Sequence, residues 1–142
     1  MRKRTLSREI ALKILYANDI SKEPVDECCR KFWKETSRVE DSVKEFSEYL
    51  VNGVNSRKDE VDAVITRYAE NWEIGRMATI DRNVLRIASF ELLFAEEIPP
   101  KVAINEAIEM AKKYGDKDSG KFVNGILDKI NKEERKDADQ PE

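Results

Sequence analysis

Along nearly the whole chain the apolar residues recur at intervals of three and four, and no segment alternates convincingly with period two. That spacing confines the chain to an all-α fold, because only a helix brings such positions onto one face. Five glycines and four prolines leave long uninterrupted stretches for those helices. At 142 residues the chain can form one compact domain that buries roughly 70% of its unfolded surface.

Seven amphipathic segments follow. Ile10, Ala11, Ile14, Leu15 and Ala17 make a first stripe running to about Asn18, with Thr5 or Ser7 as its cap. Pro24 suits the first turn of a second helix, in which Val25, Cys28, Cys29, Phe32, Trp33 and Thr36 share the buried stripe. Ser37 and Glu40 have the spacing of a capping box ahead of Val39, Val43, Phe46, Leu50 and Val54. A fourth helix carries Val61, Val64, Ile65, Tyr68 and Trp72. Thr79 caps a fifth with Val84, Ile87, Ala88, Leu92 and Ala95 on one face, and Pro99 with Pro100 stops it. Ile104, Ala107, Ile108 and Ala111 mark a sixth, with Gly115 at a left-handed C-cap position. The seventh starts at Ser119 and packs Phe122, Val123, Ile126, Leu127 and Ile130. The expected architecture is residues 1–130 as one domain of two small bundles, about 1–55 and 56–130, followed by a disordered polar tail over 131–142.

Charge is polarised along the chain. The formal net charge is −3, yet Arg2, Lys3, Arg4, Arg8 and Lys13 face only Glu9 within the first thirteen residues. Cys28 and Cys29 are adjacent, where disulfide geometry is strained, and read as reduced thiols of a cytoplasmic protein. No apolar stretch is long enough to span a bilayer, so no membrane is expected as a partner.

The absence of histidine removes imidazole acid–base catalysis, Ser-His and Cys-His pairs and histidine metal sites together. Gly115 and Gly120 flank no phosphate-loop signature, and Asp116-Lys117-Asp118 lacks the glycine and final acid of a calcium loop. Glu96 with Glu97 and Glu106 with Glu109 alternate with bases, as solvated helix faces do. The expectation is a chain with no catalytic residue, no metal and no cofactor. The basic arm suits phosphates, releasing counterions as it neutralises them. Tyr16, and Lys117, Lys121 and Phe122 at the start of the last helix, add aromatic faces and cations.

Beyond these patterns, the C-terminal half carries Asp81-Arg82-Asn83-Val84-Leu85-Arg86-Ile87-Ala88, Glu91-Leu92, Ile98-Pro99 and Val102-Ala103-Ile104-Asn105-Glu106-Ala107. Lys112-Lys113-Tyr114-Gly115 and Ser119-Gly120-Lys121-Phe122-Val123-Asn124-Gly125-Ile126-Leu127-Asp128 follow in order. This series resembles the NusB family of transcription antitermination factors. The arm, Arg8, Leu15-Tyr16 and Asn71-Trp72 extend the likeness over nearly the whole chain, while residues 23–55 match only in helical pattern. The resemblance implies two small helical bundles that bind the boxA segment of ribosomal RNA leaders together with NusE, the small-subunit ribosomal protein. Within an RNA polymerase antitermination complex, this assembly assists read-through of terminators. On that analogy Arg2, Lys3, Arg4 and Arg8 bind the RNA backbone, Lys117, Asp118, Lys121 and Phe122 lie on the same surface, and Tyr16 and Asp81 face NusE. The arm is shorter than the arginine runs of some members, which implies weak RNA affinity without the partner. Asn105 and Asn124 read as buried groups that satisfy helix ends.

Two other functions compete. One is the NusB-like recognition domain of an RNA cytosine methyltransferase, disfavoured by a chain without room for a cofactor-binding sheet or catalytic cysteine motif. The other is a helical module that binds protein alone.

Overall fold

A computed structural model describes residues 2–135. They form α1 (Lys3–Ser21), α2 (Val25–Glu35), α3 (Asp41–Ser56), α4 (Lys58–Tyr68), α5 (Thr79–Phe94), α6 (Pro100–Tyr114) and α7 (Ser119–Glu134), with a 3₁₀ turn over Ile74–Arg76. No strand occurs among the described residues, so the all-α expectation holds.

The arrangement centres on α5, which packs against α1, α3, α4, α6 and α7. One apolar face was expected of it; instead almost every residue from Asp81 to Leu92 is buried, polar ones included. Buried polar groups need partners, and those of α5 find them on other helices. Glu91 meets Arg8 of α1. Arg86 meets Asp62 of α4 and Asp19 of α1, while Asn83 donates to Asp19 at 2.9 Å. The central helix is thus held by directional bonds at both ends as well as by Val84, Leu85, Ile87 and Leu92 in the core.

Helices α1 and α3 meet through small residues. Ser7 Oγ donates to the Val43 carbonyl at 2.9 Å and Ser47 Oγ to the Ser7 carbonyl at 3.2 Å, both serines being fully buried. Gly53 of α3 lies against Phe90 of α5; a Cβ there would fall 2.2 Å from the ring. This α3–α5 contact crosses the joint expected near Asn55 and Ser56, and the hydrophobic core runs across it as well.

Helix ends depart most from expectation. Helix α1 begins at Lys3, so Thr5 and Ser7 lie inside it, and it runs to Ser21, where Lys22 closes it at φ 64°. Glu40, not Ser37, precedes α3, and Ala78, not Thr79, precedes α5; neither start has a side-chain cap bond. Helix α4 stops at Tyr68, and the chain turns through Asn71 at φ 67°, leaving Trp72 outside the helix. Gly115 has φ −94° and is not left-handed; glycine is required because a Cβ would sit 2.4 Å from Ser119 Oγ. Asn105 and Asn124 are exposed, so neither is the buried polar group expected.

The tail begins in order. Helix α7 continues to Glu134, which accepts from Arg67 and Tyr68 of α4, and buried Arg135 donates to the Ile98 and Glu96 carbonyls. The rest of the expected disordered tail, residues 136–142, lies outside the described residues. Cys28 is buried as the stripe predicted, whereas Cys29 is half-buried, with burial and the charges of Glu48 and Asp26 pushing its thiol up to about 11.

Candidate nucleic-acid interface

The arm is helical rather than a loose extension. Arg2 is the N-cap of α1, and Lys3 and Arg4 form its first turn. No acid occupies that turn, so the positive end of the helix dipole and the basic side chains add. Lys3 pairs with Glu40 at 2.7 Å, both largely exposed, and the Arg4 guanidinium lies 4.3 Å from the centre of the Phe46 ring. Arg2 and Arg4 flank a shallow groove that continues over Pro99, Val102 and Asn105.

Arg8 does not belong to this surface. Its side chain is 2% exposed, and its guanidinium donates to Glu91 at 2.6–3.1 Å and to Glu106 at 3.1 Å. Burial lowers the affinity of this group for its proton, but the bonds and charges of the two carboxylates outweigh burial and hold it charged. With its donors committed inside the protein, Arg8 has no fork to offer a phosphate. The expected role is replaced by a structural one.

Lys117, Asp118 and Lys121 are exposed and Phe122 is half-buried, as a surface at the start of α7 requires. Asp118 is the N-cap of α7; its N–H donates to Asp116 Oδ1 at 2.8 Å, and Asp116 N–H donates to Ser119 Oγ at 3.0 Å. These two bonds fix the turn, and the Asp118 side chain is left exposed. Among the described residues no carboxylate lies within ion-pair distance of Lys117 or Lys121. Phe122 packs edge-on against Trp72, centroids 5.4 Å apart. Spacing placed Trp72 in the interior stripe of a helix, so its part in this surface went unread.

The two basic groups sit at opposite ends of one seam. Long side chains bridge α1 and α6, Thr5 and Arg8 meeting Glu106 while Glu9 meets Lys113 and Tyr114. The arm adjoins the Asn105 end, and Lys117 follows the Tyr114 end, roughly 14 Å farther along at the helical rise. An elongated ligand, not a compact one, can touch both.

Tyr16 is 41% exposed and borders an apolar depression with Leu12, Lys13, Ile80 and Tyr114. Asp81, expected beside it on the partner side, is instead 8% exposed and faces Ser119 under the start of α7. Burial raises its carboxyl, with Ser119 opposing and Asp116 adding to the rise, and its Oδ1 has no bonding partner among the described residues. A partner reaches Ile80 and Tyr16 before it reaches Asp81.

The pattern that defines the NusB family matches residues 5–132. The chain belongs to the NusB family. A transcription antitermination protein NusB from Anaeromyxobacter dehalogenans is 49% identical over 128 residues, covering 90% of this chain and 89% of that one. A second, from Syntrophus aciditrophicus, is 40% identical over 142 residues and covers 100% of this chain and 88% of its own. Among solved structures, T. maritima NusB superposes with a TM-score of 0.85 at 38% identity, covering 94% and 92% of the two chains. A chain from the antitermination factors NusB and NusE in complex with dsRNA gives 0.85 at 30% identity, covering 93% and 98%. The family match includes Tyr16, Asp81 and residues 117–122, while Arg2, Lys3 and Arg4 precede it. Among the described residues no helix is long and apolar enough to cross a membrane.

Proposed function

We propose that this chain is an RNA-binding transcription antitermination factor that holds boxA RNA of ribosomal RNA leaders together with the ribosomal protein NusE, for delivery to RNA polymerase. The likeness over almost its full length to a NusB solved with NusE and dsRNA carries this reading. The charge distribution agrees with it. Arg2, Lys3 and Arg4 crowd a helix N-terminus whose own dipole is positive, an arrangement that a phosphate relieves. Lys117 and Lys121 offer further cations, Phe122 an aromatic face, and Asp118 an acceptor for a base amino group. Arg8 contributes by holding α1 in place. The Tyr16 depression takes NusE, with Asp81 supporting the Ile80 side from beneath. The chain works by binding, without catalysis, in the cytoplasm.

NMR shift mapping separates the two surfaces. Adding boxA RNA should move amides at residues 2–4 and 117–122, and adding NusE should move Leu12, Lys13, Tyr16 and Ile80. Shifts from both ligands confined to the same residues would contradict a two-faced adaptor.

A further inference from the structure

Trp72 is the most exposed aromatic side chain among the described residues, at 52%, and it does not sit on a slack loop. Ala69 N–H donates to the Ile65 carbonyl at 2.9 Å, Asn71 turns the chain in the left-handed region, and Trp72 N–H donates back to the Ala69 carbonyl at 3.1 Å. The indole is thereby held against Phe122, planes at 72°. One aromatic ring supports the other, and the outer one is open to solvent.

The α7 surface beside this pair is bare. Gly125 is three residues after Phe122 and so shares its face. It is exposed, and a Cβ there would meet nothing within 4 Å. Packing does not require a glycine, and a helix interior disfavours one. What the glycine leaves is a strip of bare backbone one turn on from Phe122, with Lys121, which has no ion-pair partner among the described residues, one turn before it.

We propose that Trp72 and Phe122 form a stacking platform for one unpaired base of the RNA, the base lying across the bare α7 backbone at Gly125 with Lys121 at a neighbouring phosphate. The inference rests on the RNA-binding reading above and adds to it a residue and a mode of contact. Charge favours RNA over a protein occupant: among the described residues Lys117 and Lys121, on the Phe122 side, have no carboxylate within ion-pair distance, and Lys129 beyond Gly125 already offsets Glu70 at 3.9 Å. Stacking is sequence-tolerant because every base has a π-face. The platform therefore supplies affinity for an unpaired nucleotide, while hydrogen bonds elsewhere select the sequence.

The test uses the full chain carrying Trp33→Phe, which leaves Trp72 as the only indole. Trp33 Nε1 is buried with no bonding partner among the described residues, so phenylalanine forfeits no hydrogen bond seen there. Titration with a boxA RNA oligonucleotide should quench Trp72 fluorescence. Trp72→Ala should weaken RNA binding about five- to a hundredfold, while Trp72→Phe keeps most of the affinity. The salt slope should be unchanged in Trp72→Ala, because an indole neutralises no phosphate, and smaller by about 0.7 in Lys121→Gln. Gly125→Gln should raise the thermal midpoint and weaken RNA binding. Wild-type RNA affinity in Trp72→Ala or in Gly125→Gln overturns the platform, as does a loss that appears in NusE affinity measured without RNA. If the parent protein binds no RNA, the functional reading itself fails; if Lys121→Gln loses affinity and Trp72→Ala does not, only the platform fails.

Discussion

The Arg8 guanidinium and the Glu91 carboxylate meet inside the protein, Nη2 to Oε1 at 2.6 Å and Nε to Oε2 at 2.9 Å, with side chains 2% and 1% exposed. Glu106 Oε1 takes a third donor at 3.1 Å, so one side chain of α1 fastens both α5 and α6. Removing it leaves buried carboxylate charge without its partner. Arg8→Ala should therefore destabilise the fold by about 3–5 kcal/mol in urea unfolding. Arg8→Lys should also lose stability, because an ammonium cannot reproduce the fork. Arg2→Ala should change stability by less than about 0.5 kcal/mol. A stable Arg8→Ala protein with impaired RNA binding would return Arg8 to the RNA surface.

A second buried cluster sets the acid response. Burial would raise the Asp19 carboxyl, but hydrogen bonds from Arg82 and Asn83 and the charges of Arg82 and Arg86 hold it far below the usual range. A carboxylate depressed in the folded state contributes stability above its unfolded value and loses it as pH falls. The contribution is fully present above about pH 5 and drains away toward about pH 2 and below. Thermal midpoints of wild type and Asp19→Asn should differ most near neutrality and converge in acid. A constant gap from neutral to acid pH would show that Asp19 ionisation is not what holds α1 to α5.

Arg2, Lys3 and Arg4 are exposed, so their charges can be removed without disturbing the core. The Arg2→Ala, Lys3→Ala, Arg4→Ala triple variant should keep its melting temperature and bind RNA more weakly. Its log–log salt slope should be flatter by about 2, at roughly 0.7 per phosphate lost. An unchanged slope would place the phosphate contacts elsewhere.

Periodicity located the seven helices because core burial repeats at the helical interval. Val123, Ile126, Leu127 and Ile130 are buried as their spacing requires, and α7 starts at Ser119. The ends were less legible. Ser37 with Glu40 has the composition of a capping box, but cap geometry depends on how the incoming chain is held, and Glu40 takes the N-cap position. Arg8 misled because a basic residue within a basic segment reads as surface, and its partner Glu91 is remote in sequence. One signal was available: Leu12 and Leu15 follow Arg8 by four and seven residues, which puts Arg8 on the apolar stripe of α1. Trp72 misled in the opposite direction, its spacing matching a helix that ends at Tyr68, ahead of the left-handed turn at Asn71. Asp81 lies in a recognisable segment, but only the tertiary structure reveals that α7 covers it.

An adaptor must join RNA to a protein partner. Fluorescence titration of boxA RNA at moderate salt, with and without NusE, tests it most directly. This chain alone should bind boxA weakly but specifically and bind it markedly more tightly when NusE is present, both being reduced by the triple arm variant. Failure of both the binary and the ternary mixtures to prefer boxA over a scrambled RNA would contradict it.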